Sequence, residues 1–147
     1  MISRLVNWFT IQFDAVVEGE SLSPTLACAV LFYEVVRADH RIEPEELDTM
    51  RNLLSEQVAA DELEDLLGSA REQADEALDL VRFTRVINEH FDQQQKRDLL
   101  ISLWRLAFAD SHLDGHEDYA IRKIADLLYL NHSDFIQCKL EASKIAE

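Results

Sequence analysis

The chain has 147 residues, 48% of them hydrophobic, and a formal net charge of −15. That length gives one domain, residues 1–147, with a core of its own, and that hydrophobicity excludes a disordered tail. The negative field repels phosphate backbones, so nucleic acid and an anionic membrane surface are excluded as partners, while a cation or a basic protein surface is favoured.

Three glycines and two prolines are too few turn formers for a sandwich or barrel of short strands. Leu, Ala, Glu, Asp and Arg dominate, which favours helix. The opening MISRLVNWFTIQF has one basic residue, no continuous apolar run and no small-residue cleavage site. It does not read as a signal peptide, and no stretch approaches the 18 or so apolar residues of a membrane span. The expected compartment is the cytoplasm, where Cys28 and Cys138, neither in a CxxC pair, are buried thiols.

The first predicted helix runs from about Arg4 to Val17, with Leu5, Trp8, Phe9, Ile11, Phe13 and Val16 as its apolar stripe. The second opens on Ser23 as N-cap with Pro24 at the first helical position, where its missing N–H is harmless. It is apolar nearly all round, as expected of a central helix. The third begins at Glu43-Pro44-Glu45-Glu46, with Leu47, Met50, Leu53, Leu54 and Val58 inward. A fourth starts near Asp61, and the segment from Gly68 to Asp79 reads as a break and a short polar approach. The fifth carries Leu80, Val81, Phe83, Val86, Ile87 and Phe91. The sixth opens near Gln93, with Lys96, Arg97 and Arg105 on a solvated face. The seventh starts around Gly115, with Tyr119, Ile121, Ile124, Ala125 and Leu128 on its buried side. Asn131 or Ser133 caps the last helix, which holds Phe135, Ile136, Leu140 and Ile145. The expected architecture is all-α, a compact bundle of seven or eight helices.

One feature rises above composition. Ala38-Asp39 matches Ala109-Asp110, Ile42-Glu43 matches Leu113-Asp114, Glu46 matches Glu117, and Met50 and Leu53 match Ile121 and Ile124, always 71 positions apart. The shared pattern A-D-x-x-[IL]-[DE]-x-x-E lies between two apolar helices. It predicts a repeated corner in which Ile42 or Leu113 plugs into the core, Glu43 or Asp114 caps the next helix, and Glu46 or Glu117 falls at that helix's third position. Asp39 and Asp110 sit at the helix end that disfavours negative charge, so a cation or another positive group is expected to answer them. Three carboxylates within about a turn of helix suit a hard cation, with carbonyls and water completing the shell. The rival account is a plain capping box with no ion. The second corner has the freer backbone, because it holds Gly115 where the first holds Pro44.

These corners are not EF-hands. Counting from Asp110, the twelfth position, which needs a bidentate glutamate, is Ile121. His112 and His116, four apart near the second corner, are the candidates for additional ligands if the ion is a transition metal. Neither HExxH nor a glycine-rich phosphate loop nor a G-x-S-x-G elbow occurs, so no catalytic residue is assigned.

The doubled corner, with AD..IEPEE at Ala38–Glu46 and AD..LDGHE at Ala109–Glu117, resembles the TerB-like tellurite-resistance family of bacterial proteins over about Ser23 to Leu130. His40 and Ser111 stand where members often carry a glycine after the aspartate. The resemblance implies a single helical domain with an internal pseudo-two-fold and a divalent-metal site, calcium foremost. The metal candidates are Asp39, Glu43, Glu46, Asp110, Asp114 and Glu117. It also implies a non-enzymatic module of a stress system acting through a protein partner, with homo-oligomers allowed. The alternatives are a metal-free protein-interaction domain and a metal-dependent hydrolase that uses the same carboxylates.

Overall fold

In the computed structural model, residues 22–38, 42–109 and 115–146 are described, and they form seven helices. The helix expected between Arg4 and Val17 lies outside them. Ser23 accepts from Leu26 N–H at 3.1 Å and Pro24 opens α1 (Pro24–Val36), as the sequence signals require. Ala27 to Phe32, Val35 and Val36 of α1 are completely buried. A helix apolar on all sides becomes central because only neighbours on every side can dry it.

Pro44 is the first residue of α2 (Pro44–Ser55), whose N-cap position is Glu43. Helix α3 (Ala60–Glu76) continues through Gly68, so the break expected there does not occur. A mid-helix glycine costs only about 1 kcal/mol. The buried stripe Leu63, Leu67, Ala70 and Ala74 offsets it. Helix α4 (Val81–His90) follows a four-residue turn in which Asp79 accepts from Val81 N–H at 2.9 Å. Helix α5 (Gln93–Ala107) opens with a full capping box. Asp92 accepts from Gln95 N–H at 2.8 Å, and the Gln95 side chain accepts from Asp92 N–H at 2.8 Å. Helix α6 (Gly115–Leu127) ends in a Schellman turn. Leu130 N–H donates to Ala125 O at 3.0 Å, Tyr129 N–H donates to Asp126 O at 3.1 Å, and Tyr129 takes the left-handed position at φ 63°. Of the two candidate caps for α7 (His132–Ala146), Asn131 is used, accepting from Asp134 N–H at 2.8 Å.

The 71-residue repeat extends beyond the corners. Helix α1 ends at Val36 and α5 at Ala107, while α2 starts at Pro44 and α6 at Gly115. The bonds that close the two central helices are also paired. Arg37 N–H donates to Tyr33 O at 3.0 Å and Ala38 N–H to Val35 O at 3.3 Å; Phe108 N–H donates to Trp104 O at 2.9 Å and Ala109 N–H to Leu106 O at 3.1 Å. Helix α3 packs on α1 as α7 packs on α5, and α2 and α6 each pack on both central helices. The described helices therefore form two three-helix units, α1–α3 and α5–α7, linked by α4. This is the pseudo-two-fold bundle expected from the repeat.

Several sequence expectations are corrected. Tyr119 is 67% exposed and Ile42 is 46% exposed, so neither is a core residue. Tyr119 lies two residues past Glu117 and thus off the buried stripe of α6. Ile136, Leu140 and Ile145 are also exposed. Lys96 is buried, at 7% exposure, rather than solvated. Its Nζ donates to Leu128 O at 3.1 Å while Asn88 donates to Leu127 O at 3.0 Å, so both residues satisfy carbonyls at the end of α6. Burial lowers the Lys96 pKa.

Candidate metal centre at two acidic corners

Of the six carboxylates singled out by sequence, Glu43, Glu46 and Glu117 are described; Asp39, Asp110 and Asp114 lie outside the described residues, as does His112. The two glutamates at the third helical positions share an unusual environment. Glu46 and Glu117 are each only 1% exposed. The reason lies in their phase. Glu46, Met50 and Leu53 fall at i, i+4 and i+7 on the buried face of α2, and Glu117, Ile121 and Ile124 do the same on α6. Each glutamate therefore occupies the first rung of a core stripe. Carboxylates are almost never fully buried without a partner, and both glutamates are engaged by a polar or electrostatic contact.

The flanking positions differ. Glu43 is the N-cap residue of α2, but its side chain makes no capping hydrogen bond there, which corrects the expectation that it caps α2. Glu45 is exposed. The positive end of each helix adds a favourable field for its buried carboxylate. His116 is exposed at the second position of α6. Among the described residues no group of three His, Cys, Asp or Glu side chains is gathered closely enough to hold a metal ion.

Described residues that flank the two corners line one cleft. A cleft of about 250 Å³ is lined by Glu34 and Ala38 at the end of α1, by Ala77 to Leu80, and by His116, Tyr119, Ala120 and Lys123 of α6. Ala38 leads into the first corner and His116 follows the second. Glu34 is engaged by Arg37 at 3.2 Å, and Arg37 also donates to Asp75 and to Ala74 O, which ties the end of α1 to the end of α3. On the other side, Asp118 accepts from Arg122 at 3.4 Å and Lys139 at 3.2 Å, tying the start of α6 to α7. Lys139 lies 5.0 Å over the Trp104 ring and Arg122 lies 4.5 Å over the Phe135 ring. The end of α1 and the start of α6 are therefore each tied by an arginine or lysine bridge to the third helix of their own unit.

Sequence reasoning missed Asp118 and Lys139 as a frame, because their bridge spans 21 residues and joins two helices. It did identify the two thiols. Cys28 and Cys138 are free and buried, and burial raises both pKa values, Cys138 to about 12. Thiols held protonated are poor nucleophiles and poor metal ligands.

Among the described residues no helix is long and apolar enough to cross a membrane. No curated protein and no solved structure matches the chain. The family model for tellurite resistance protein TerB matches residues 25–140, which span α1 through most of α7 and include both corners. The chain belongs to the TerB family.

Proposed function

We propose that this TerB-family domain binds divalent cations, calcium foremost, at its two acidic corners, and that it acts non-enzymatically through a protein partner in a cytoplasmic stress response of the tellurite-resistance type. The observation that carries the reading is the burial of Glu46 and Glu117, two repeat-related carboxylates at 1% exposure on core stripes. Asp39, Glu43 and Glu46 would hold one ion; Asp110, Asp114 and Glu117 would hold the other. All are oxygen donors, which suits a hard cation better than a thiophilic one. Bound there, the ion would supply positive charge against acids at the negative ends of α1 and α5. His112 and His116 would add nitrogen donors at the second corner if a transition metal replaced calcium.

The test is the unfolding midpoint of metal-stripped protein with and without calcium. Calcium at a hundredfold excess over its dissociation constant stabilises by about 2.7 kcal/mol per site. The wild type is expected to gain stability, and Asp110→Ala to lose the share of the second corner. No gain with millimolar calcium or magnesium sinks the reading and leaves the acids as helix-start residues. A second reading, a docking surface that needs no metal, draws support from Leu78, which is 100% exposed on the rim of the cleft beside Tyr119. It predicts that Leu78→Glu weakens partner binding while cation stabilisation persists.

A further inference from the structure

The two three-helix units repeat the same helices but present different surfaces. On α3, Asp65 and Ser69 are exposed and polar, as a solvated third helix requires. The positions 71 residues later on α7 are Ile136 and Leu140, which are 37% and 55% exposed. They lie at i and i+4 and form one apolar stripe. Charge differs in the same way. The α3 surface carries Asp61, Glu62, Glu64, Asp65, Glu72, Asp75 and Glu76 against Arg71, whereas the other exposed described residues of α7 are His132, Ser133, Gln137, Lys144 and Ile145. In a chain of net charge −15, the exposed described residues of α7 include no acid, and its two described acids, Asp134 and Glu141, are half-buried.

We propose that residues 1–21 of this same chain cover the outward face of α7. The segment brings the missing apolar surface in Leu5, Trp8, Phe9, Ile11, Phe13 and Val16. It also carries Asp14, Glu18 and Glu20 against Arg4, an acidic balance that complements Lys144. Twenty-one residues span up to about 70 Å when extended. A chain of 147 residues has a radius of gyration of about 15 Å, so the tether leading to Leu22 reaches every face of the bundle. Tethering keeps the local concentration on the order of millimolar, so a stripe of two or three apolar side chains is enough to hold it.

The test uses the full chain and the double substitution Ile136→Asp with Leu140→Ser, which places on α7 the residues that α3 already carries at the repeat-related positions. Hydrogen exchange is read peptide by peptide. The expected result is protection within residues 1–21 of the wild type that is lost in the double variant, with α5 protection unchanged and both proteins monomeric by light scattering. Lys144→Glu, a single surface change, is expected to give a partial loss and serves if the double variant also loses α5 protection. Three results overturn the proposal: residues 1–21 unprotected in the wild type, protection equal in wild type and variants, or a wild-type dimer that the double variant dissolves. The last would assign the face to a second copy of the chain.

Discussion

Truncating Trp104 to alanine should be among the most damaging single changes in the molecule, and far worse than the same truncation at Tyr33, its counterpart 71 residues earlier. Trp104 is 0% exposed. It meets Phe135 edge-on at 5.2 Å between centroids, stacks on Phe108 at 5.9 Å, and carries the Lys139 ammonium 5.0 Å over its ring. Burying and then deleting so large a ring costs about 3–5 kcal/mol. Two aromatic pairs, each worth about 0.5–1.5 kcal/mol, and one partly buried cation–π contact of about 1 kcal/mol push the figure to the top of that range. A domain of this size has about 5–15 kcal/mol in total. Urea unfolding followed by far-ultraviolet circular dichroism is the suitable assay, because it does not depend on the deleted fluorophore. With a slope of about 2 kcal/mol per molar, the midpoint should fall by about 2 M or more. Tyr33 is only half-buried, so Tyr33→Ala should cost about half as much. A Trp104→Ala cost below about 2 kcal/mol, or equal costs at the two positions, would refute the reasoning that the second unit centres its packing on this ring.

Two further outcomes follow from buried polar groups. Ser102 is 0% exposed on α5 and its hydroxyl has no hydrogen-bond partner among the described residues, so Ser102→Ala should raise stability by about 1 kcal/mol in the same urea assay; a loss of that size would mean the hydroxyl is satisfied. Stability should also fall with rising pH, starting near the unfolded thiol value of 9.0 and continuing towards about 12, the folded Cys138 value. Cys28, Cys138 and Tyr33 all have raised pKa values when folded, so the unfolded chain releases their protons first and is favoured as pH rises. Lys96 acts oppositely, because its lowered folded pKa adds stability as pH rises towards 10.5, but it is one group against three. A Cys28→Ala, Cys138→Ala protein should show a flatter alkaline slope in urea melts between pH 8 and about 10. An unchanged slope would contradict the assignment.

Much of this fold was legible because it is written in local signals. Ser23 by capping, and Pro24 and Pro44 by their fixed backbone dihedral, set two helix starts with no tertiary partner. The 71-residue register of the corners predicted the paired ends of α1 and α5. The illegible parts were settled by distant residues. Gly68 read as a break, but the stripe from Leu63 to Ala74 keeps α3 continuous. Lys96 read as a surface residue because nothing nearby in sequence announces Leu128 O, 32 residues away. Tyr119 and Ile42 are apolar by type, yet they fall off the phase of their buried stripes or ahead of α2. At the site, the sequence identified Glu46 and Glu117 by spacing, but their burial could be known only once α2 and α6 were placed against both central helices. The capping box of Asp92 and Gln95 was readable from the D-x-x-Q spacing and was not used.

The most direct test of the account is a calorimetric titration of the metal-stripped full chain with calcium, run beside Glu46→Gln and Glu117→Gln. These substitutions keep shape and one acceptor oxygen while replacing the other with an NH2 donor and removing one negative charge from each core stripe. The account predicts saturable binding at two corners in the wild type and the loss of one corner's share of the heat in each variant, with the other corner's share retained. No heat up to millimolar calcium, or equal titrations in all three proteins, would contradict it and return both glutamates to the helices as buried caps.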